Sequence, residues 1–337
     1  MSLKILKQGL LTTVQDLGRY GFQKYGVVAS GVMDHFAARV ANLLVHNEEN
    51  AAVMEMTMIG PSLQFQEDVL ISICGGDLSA SIDGVVVPLW RSMMVRSGSV
   101  LRFGSAKSGC RAYLAVAGGI SVEKVMGSSS TYLRASIGGF QGRALKQGDV
   151  ISVNQVDPTW QQKANFLMQR NPSKSFIPFS WYISEHSLPV YRSNVMIRIM
   201  RGREFEYFQE ESKDHLLNDT FTIHPQSDRM AYRITGPQIK LKSQLNMISE
   251  AVTMGTIQVP PDGSPRILLA DRQTTGGYPR IAQVVSIDLP LIAQLKPGDT
   301  IMFQEISLEE AEMLYMQLEK DLSVLKKIIQ ERWIRGH

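Results

Sequence analysis

The chain has 337 residues, of which 44% are hydrophobic and 20% charged, and its formal net charge is +3. These values are typical of a globular protein that is long enough for two domains and too apolar to be disordered. The basic residues are dispersed apart from a small cluster near the C-terminus. Composition therefore gives no support for nucleic-acid binding.

The sequence shows no pattern of a targeting signal or of a membrane segment. The N-terminus lacks the apolar stretch of a secretory signal, and no apolar run reaches the roughly 20 residues that a membrane-spanning helix needs. We therefore expect a cytoplasmic protein. Cys74 and Cys110 stand singly in apolar, strand-like segments, which predicts buried reduced thiols rather than a zinc site.

The first predicted helix covers residues 34 to about 46, with Asp34 as its N-cap. A second, short helix is predicted at 121–127. The Asp83-Gly84 pair predicts a two-residue hairpin turn, since both positions of such a turn need positive φ angles. Most of the remaining N-terminal half has the short, glycine-punctuated runs of a barrel or sandwich. The clearest strand patterns are 69–74, 78–82, 85–87, 100–103 and 111–116.

Two pairs of short segments resemble each other, namely 144–151 with 294–301 and 60–65 with 236–241. Two similar β domains would explain this weak repeat, and chance recurrence of common turn dipeptides is the alternative.

The domain organisation follows from the repeat and from composition. Residues 157–189 are rich in Gln, Asn, Ser and Pro and predict a linker between domains at 1–156 and 190–306. A C-terminal helix at 307–337 begins with a capping box formed by Ser307 and Glu310. The sequence leaves open whether this helix packs on its own barrel or on a partner.

The densest group of polar residues is DRQTTGGYPR at 271–280, directly after the apolar strand pattern at 266–270. The adjacent glycines let the backbone approach a ligand, and Arg272 offers parallel hydrogen bonds to a carboxylate or phosphate. The alternative is a solvated turn in which Asp271 pairs with Arg272. We favour a site, because an ordinary turn needs neither an arginine nor two threonines.

Two further groups are candidates for binding. Asp16 and Arg19 lie in a glycine-containing stretch, where they can pair with each other or clamp a polar ligand. Arg229 and Arg233 stand four residues apart at a predicted loop-to-strand junction, which suits either an acidic ligand or an interface carboxylate. No common phosphate-loop or dinucleotide motif occurs, and no lysine has the context of a biotin attachment site.

Segments 9–19, 30–34, 41–42, 75–78, 118–120 and 271–279 together resemble the allophanate hydrolase subunit 2 family, also called the biotin-dependent carboxyltransferase-like family. The resemblance extends from residue 3 to about residue 303, and its last motif is specific to the family. It implies a mainly β fold of two cyclophilin-like β-barrel domains with a C-terminal helix.

The resemblance also implies an activity. A free-standing chain of this length is similar to the KipA-like subgroup, the C subunits of 5-oxoprolinases. That similarity implies ATP-dependent cleavage of 5-oxo-L-proline to L-glutamate, with ATP as cofactor, with or without Mg, and with no biotin attached to this chain. The implied partners are the A subunit of the enzyme together with its B subunit, which is KipI-like. The chain alone is expected to be inactive.

Two other functions remain open. One is a regulatory antagonist that binds a KipI-like inhibitor of a sporulation histidine kinase. The other is a carboxyltransferase subunit of the urea carboxylase and allophanate hydrolase type.

The expected roles combine residue type with membership of the family motifs. Asp271 is expected to transfer a proton or hold a metal, and Arg272 to clamp an anionic substrate. No dedicated metal site is expected. The expected catalytic residues are Asp271, Arg272, Thr274 and Thr275. The expected substrate- or phosphate-binding residues are Gln15, Asp16, Arg19, Arg229, Arg233, Gln258, Gln273, Gly276, Gly277 and Tyr278.

Overall fold

The computed structural model describes residues 1–156, 162 and 166–334. The chain divides into two compact units, of which unit 1 contains residues 1–18, 34–189 and 322–337 and unit 2 contains residues 19–33 and 190–321. Residues 19–33 were predicted as part of the N-terminal domain, but they belong to unit 2, where Met33 is a fully buried member of the core. The described part of the predicted linker belongs to unit 1.

Unit 1 is built on two six-stranded sheets. Its strands are β1 (Ser2–Lys7), β2 (Leu11–Gln15), β3 (Val53–Thr57), β4 (Ser62–Phe65), β5 (Val69–Asp77), β6 (Ser81–Ile82), β7 (Val85–Val86), β8 (Ser92–Val95), β9 (Val100–Arg102), β10 (Ser108–Val116), β11 (Val150–Ser152) and β12 (Phe176–Pro178). The strand orders are β11-β1-β4-β9-β6-β7 and β12-β8-β5-β10-β3-β2. Apolar side chains of both sheets form one buried core.

The predicted hairpin between β6 and β7 is confirmed. Ser81 lies opposite Val86 and Ile82 opposite Val85, and Asp83 and Gly84 both have positive φ angles, 48° and 85°. The turn therefore has the backbone geometry that suits the right-handed twist of its strands.

Helix α1 (His35–Leu44) confirms the first predicted helix. The Asp34 side chain accepts a hydrogen bond from the backbone N–H of Ala37 at 2.9 Å, as the sequence indicates. Hydroxyl groups of the neighbouring sheet bond to helix carbonyls, with Ser72 donating to Ala41 O and Ser92 donating to Leu44 O, both at 2.6 Å. These bonds hold the helix against β5 and β8.

The short helix predicted at 121–127 is wrong, because this stretch is coil and turn. The backbones of Val125 and Ser128 exchange two hydrogen bonds around a tight turn that contains Gly127 with a φ of 77°. This turn satisfies locally the backbone groups that a helix would have paired.

Unit 2 contains a closed seven-stranded barrel. The strands of unit 2, seven in the barrel and two in a separate ribbon, are β13 (Asn194–Arg201), β14 (Phe221–Ile223), β15 (Ala231–Thr235), β16 (Glu250–Ala251), β17 (Thr256–Gln258), β18 (Arg266–Leu268), β19 (Thr275–Gly276), β20 (Arg280–Val284) and β21 (Thr300–Glu305). The barrel order is β13-β20-β17-β18-β15-β14-β21, and β16 pairs with β19 in a separate two-stranded ribbon. The helices of unit 2 are α2 (Glu210–Asn218) and α3 (Leu289–Ala293), and the final helix α4 (Leu308–Ile334) has its residues up to 321 in unit 2 and the rest in unit 1. This barrel and the long final helix confirm the predicted fold class.

The first pair of repeated segments has the same turn in both units. In unit 1 the Asp149 carboxylate accepts from the backbone N–H of Lys146 at 2.7 Å, and in unit 2 Asp299 accepts from Lys296 N–H at 3.0 Å. Each turn leads directly into a strand, β11 or β21. The second pair diverges, because 62–65 forms β4 whereas 236–241 contains no strand.

Helix α4 begins where the capping signal predicts, since Ser307 Oγ accepts from the backbone N–H of Glu310 at 3.1 Å. Its last predicted residues, 335–337, lie outside the described residues. No helix in the described part of the chain is long and apolar enough to cross a membrane.

Candidate functional site

The DRQTTGGYP motif connects two barrel strands of unit 2. It leaves the barrel after β18, forms β19 of the ribbon and returns to the barrel at β20. Within the ribbon, Glu250 lies opposite Gly276 and Ala251 opposite Thr275. The motif is therefore a loop that is fixed to the barrel at both ends.

Asp271 forms a buried ion pair with Arg229. Its carboxylate accepts from Arg229 Nε at 2.9 Å and from Ser30 Oγ at 2.5 Å, and Arg229 also donates to the carbonyl of Gly31. Asp271 is 7% and Arg229 5% exposed. The charged groups of both residues thus hold the motif to the 19–33 segment, and their expected roles in catalysis and binding stay predictions. No cluster of metal-binding side chains occurs in the described residues.

Arg272 differs from Arg229 in its surroundings. Its guanidinium is half-buried and makes only long hydrogen bonds, each 3.3 Å, to the carbonyls of Val252 and Leu269. No carboxylate of the described residues forms an ion pair with it. Burial lowers the pKa of Arg272, and the nearby Tyr20 acts in the opposite direction. A partly desolvated cation without a counter-charge is a candidate anion-binding group.

Three side chains that follow Arg272 have no hydrogen-bond partner in the described part of the chain: Gln273, Thr274 and Thr275. Gln273 and Thr274 are partly buried and Thr275 is exposed. Their hydroxyl and carboxamide groups are thus available as donors to a ligand.

Gln258 supports the second half of the motif from the barrel. Its Nε2 donates to the carbonyl of Tyr278 at 3.2 Å. A Cβ atom on Gly276 would lie 2.4 Å from the same nitrogen, so glycine allows the close approach of ribbon and barrel. Gln258 is 1% exposed and supports the motif from below, and its expected role as a ligand-binding residue stays a prediction.

A network of four charged side chains fixes the base of the ribbon. Arg280 donates to both carboxylate oxygens of Glu204, at 2.8 and 2.7 Å, and to Glu250 at 2.7 Å. Arg203 also donates to Glu250 at 2.7 Å. Hydrogen bonds to Glu204 and Glu250 raise the pKa of Arg280. The sequence prediction missed Glu204, because its surroundings, RGREFEYF, have the appearance of a solvated charged turn.

Two expected binding residues of unit 1 are buried. The Asp16 carboxylate accepts from the hydroxyl groups of Ser128 and Ser130, at 2.7 and 2.5 Å, and from the backbone N–H of Ser129 at 2.6 Å. Gln15 donates to Thr131 O at 3.1 Å. Asp16 therefore organises the 128–131 loop, and both side chains are closed to a ligand in this structure.

The two other expected arginines of unit 2 differ in exposure. Arg19 is fully buried. Arg233 projects from β15 with a side chain that is 37% exposed, and it forms an ion pair with Asp262 at 3.9 Å. The Arg19 side chain is therefore closed to solvent, whereas that of Arg233 is open to it.

A groove of about 890 Å³ lies in unit 2 beside the end of the motif. It is lined by residues of four stretches: 238–241, 244–247, 259–263 and 277–279. Gly277 and Tyr278 were expected to bind a ligand, and they lie in this lining, whereas Asp271 and Arg272 do not. The first half of the motif thus contains Arg272 and its polar neighbours, and the last three residues of the motif line the groove.

The family described as carboxyltransferase domain, subdomain A and B, matches residues 25–305. The chain belongs to this family. Among its relatives is the C subunit of the 5-oxoprolinase of Haemophilus influenzae, 37% identical over 95% of this chain and 96% of the relative. The corresponding C subunit from Escherichia coli is 36% identical over 92% of this chain and 93% of the relative.

Longer relatives contain a similar stretch. The urea amidolyase of Saccharomyces cerevisiae is 32% identical over 93% of this chain, which spans only 17% of that protein. The crystal structure of the K. lactis urea amidolyase has a TM-score of 0.85 at 31% identity and covers 95% of this chain, but this chain covers 20% of it. The crystal structure of TTHA0988 has a TM-score of 0.74 at 31% identity, with 90% of this chain and 55% of that chain covered. The relatives named 5-oxoprolinase or urea amidolyase are enzymes or enzyme subunits.

Proposed function

We propose that this chain is the C subunit of an ATP-dependent 5-oxoprolinase, which opens 5-oxo-L-proline to L-glutamate together with its B and A subunits in the cytoplasm. The observation that carries the proposal is the similarity to two proteins named as C subunits of 5-oxoprolinases. The similarity extends over more than nine-tenths of this chain and of each relative. The urea amidolyases, in contrast, are matched over a small part of their length.

The chemistry requires activation of the lactam carbonyl, because an amide is a poor electrophile. Transfer of the γ-phosphoryl group of ATP to the carbonyl oxygen releases ADP and leaves a carbon that water can attack. The ring C–N bond then breaks, the nitrogen takes up a proton, and phosphate and glutamate are released. A protein supports such steps by positioning and by stabilising negative charge.

Arg272 is the group that we assign to the substrate carboxylate or to the transferred phosphoryl group. Its guanidinium is half-buried and has no ion pair in the described part of the chain, so a bound anion would supply the missing counter-charge. The hydroxyl groups of Thr274 and Thr275 are the accompanying donors. Asp271 is assigned to hold this turn in place, since its carboxylate is already paired with Arg229.

The test is glutamate release from 5-oxoproline and ATP in a mixture of this chain with its B and A subunits. We expect release in the complete mixture and none when this chain is omitted or supplied alone. A stable complex with the B subunit that releases no glutamate would instead favour the regulatory antagonist.

The same assay tests Arg272. Arg272→Ala should raise KM for 5-oxoproline or for ATP by about tenfold or more, because it removes a charge-assisted hydrogen bond to an anion. The matched control is Arg201→Ala, which removes an exposed arginine of the same unit. Equal kinetics of the two variants would contradict the assignment.

A carboxyltransferase function is the second candidate, and the family description favours it. Its test is biotin-dependent transfer of a carboxyl group to urea, measured with the same purified chain and a biotinylated carrier. Carboxyl transfer without glutamate release would replace the oxoprolinase assignment.

A further inference from the structure

Arg272 does not line the groove of unit 2, and the proposed substrate does not account for the size of this groove. Ligand sites span roughly 300 to 1,000 Å³, and this groove has about 890 Å³. A molecule as small as 5-oxoproline would leave most of that space to water. The groove therefore suits a larger ligand.

The walls of the groove combine an apolar surface with polar side chains that are not engaged. The apolar part includes Ile239, Val259 and Pro260, all of them buried. Five polar residues of the lining are exposed, and their side chains have no hydrogen-bond or ion-pair partner in the described part of the chain: Gln238, Lys240, Gln244, Asn246 and Tyr278. Unengaged polar groups around an apolar wall are typical of a ligand site.

The identities of these side chains indicate which ligand they suit. Carboxamides match the paired donor and acceptor of an adenine edge, and three of them line the groove. The ring of Tyr278 is 42% exposed and offers a face on which a planar base can stack. Lys240 supplies a cation for phosphate.

The charge of the groove is compatible with a phosphate. Asp262 is the acidic residue of the lining, and its carboxylate lies 3.4 Å from Arg266 and 3.9 Å from Arg233. That negative charge is offset, whereas the charge of Lys240 is not. The balance therefore favours an anionic ligand.

We propose that the groove lined by residues 238–241, 244–247, 259–263 and 277–279 binds an adenine nucleotide, with the base beside Tyr278 and the carboxamides and the phosphates beside Lys240. The proposal rests on the proposed function in that ATP is then the nucleotide present. It assigns the nucleotide to the second half of the motif and the substrate anion to Arg272.

The first experiment measures the binding of ATP and of adenosine to the full chain, alone and with its partner subunits, by calorimetry. Lys240→Gln should weaken ATP binding by about tenfold, the scale of a charge-assisted hydrogen bond. It should leave adenosine binding unchanged, because adenosine carries no phosphate. Tyr278→Leu should weaken both ligands, because it removes the stacking face.

The matched control is Lys242→Gln. Lys242 lies two positions from Lys240, forms an ion pair with Glu210 at 2.9 Å and does not line the groove. This variant should bind ATP and adenosine as the parent chain does. A loss equal to that of Lys240→Gln would show a general effect of positive charge and would overturn the proposal.

A photoreactive azido-ATP should label the assembled mixture within 238–247, 259–263 or 277–279 of this chain. Labelling elsewhere, or an ATP affinity and KM that Lys240→Gln and Tyr278→Leu both leave unchanged, would overturn the nucleotide site. If glutamate release nevertheless requires this chain, the proposed function stands without the site. If ATP binds with the expected dependence on Lys240 but no glutamate forms, the site stands and the proposed function fails.

Discussion

Two neighbouring residues of one motif, Asp271 and Arg272, have opposite surroundings. The carboxylate is buried and saturated by Arg229 and Ser30, whereas the guanidinium one position later has only two long bonds to carbonyl groups. A buried charge that already has its counter-charge gains little from a ligand, and one without it gains much. At this scale, the surroundings favour a ligand-binding role for Arg272 and a structural role for Asp271.

Replacing Asp271 with alanine should lower the free energy of unfolding by about 3 to 5 kcal/mol, since it breaks the buried ion pair with Arg229 by removing one partner. Urea denaturation of the purified chain measures the loss. Asp262→Ala is the control, because its ion pairs are exposed and such pairs contribute about 0 to 1 kcal/mol. Similar losses in both variants would contradict the structural role of Asp271.

At the scale of the element, the ribbon of β16 and β19 is too short to be stable alone, because a two-stranded pair needs a surface to pack on. Its support comes from Gln258 below Gly276 and from the Glu204, Arg280 and Glu250 network at its base. The position of the motif thus depends on side chains that a ligand does not touch.

Gly276→Ala should displace the ribbon, because the new Cβ would lie 2.4 Å from Gln258 Nε2 in a buried setting. We expect a loss of about 1 to 3 kcal/mol in the free energy of unfolding, the usual cost of overpacking, and faster amide hydrogen exchange in 249–252 and 274–277. Gly277→Ala is the matched control, since its Cβ would meet only Ser249 Oγ at 3.2 Å. The expectation fails if the two variants exchange alike.

The network at the base of the ribbon should make stability depend on pH. Burial alone would raise the pKa of Glu204, but hydrogen bonds from Arg280 outweigh burial and hold this pKa below its ordinary value. A folded-state pKa below the unfolded one stabilises the protein above the unfolded value, and this contribution is lost as pH falls through the folded value.

Glu204→Gln should therefore be less stable than the parent chain at about pH 7, and the difference should shrink below about pH 4, where the carboxylate becomes protonated. Urea midpoints measured for both proteins over this range test the expectation. A difference that does not change with pH would assign the loss to packing instead.

At the scale of the whole molecule, the barrel of unit 2 includes a segment from near the start of the chain. Met33 is fully buried in its core, Ser30 donates a hydrogen bond to Asp271, and the carbonyl of Gly31 accepts one from Arg229.

A fragment of residues 190–321 lacks Ser30, Gly31 and Met33. It should be poorly folded by circular dichroism, and a synthetic peptide of residues 19–33 should raise its melting temperature. A fragment that melts at the same temperature with and without the peptide would show that the segment is dispensable.

The sequence predicts local features of this fold well and long-range ones poorly. The Asp34 cap, the Asp83-Gly84 turn and the start of α4 at Ser307 depend on residues within a few positions of each other, and all three are confirmed. The same local rules suggested a pairing of Asp271 with Arg272.

The actual partner of Asp271 is Arg229, 42 positions away. It is brought there by the antiparallel pairing of β15 with β18, in which Ala231 lies opposite Leu268. A single sequence does not specify strand pairing, so this ion pair was not accessible to prediction. The groove was missed for the same reason, because its lining comes from four separate stretches.

The division of the chain between the units has a consequence for protein synthesis. Unit 2 takes its first residues from position 19 onward and its last from about 321, and unit 1 takes residues from both ends of the chain. Neither unit can be completed while the ribosome is still translating the barrel strands. Completion of unit 2 therefore waits for the first half of α4 and completion of unit 1 for its second half, so that β1 to β12 are synthesised long before the last segment of their own unit.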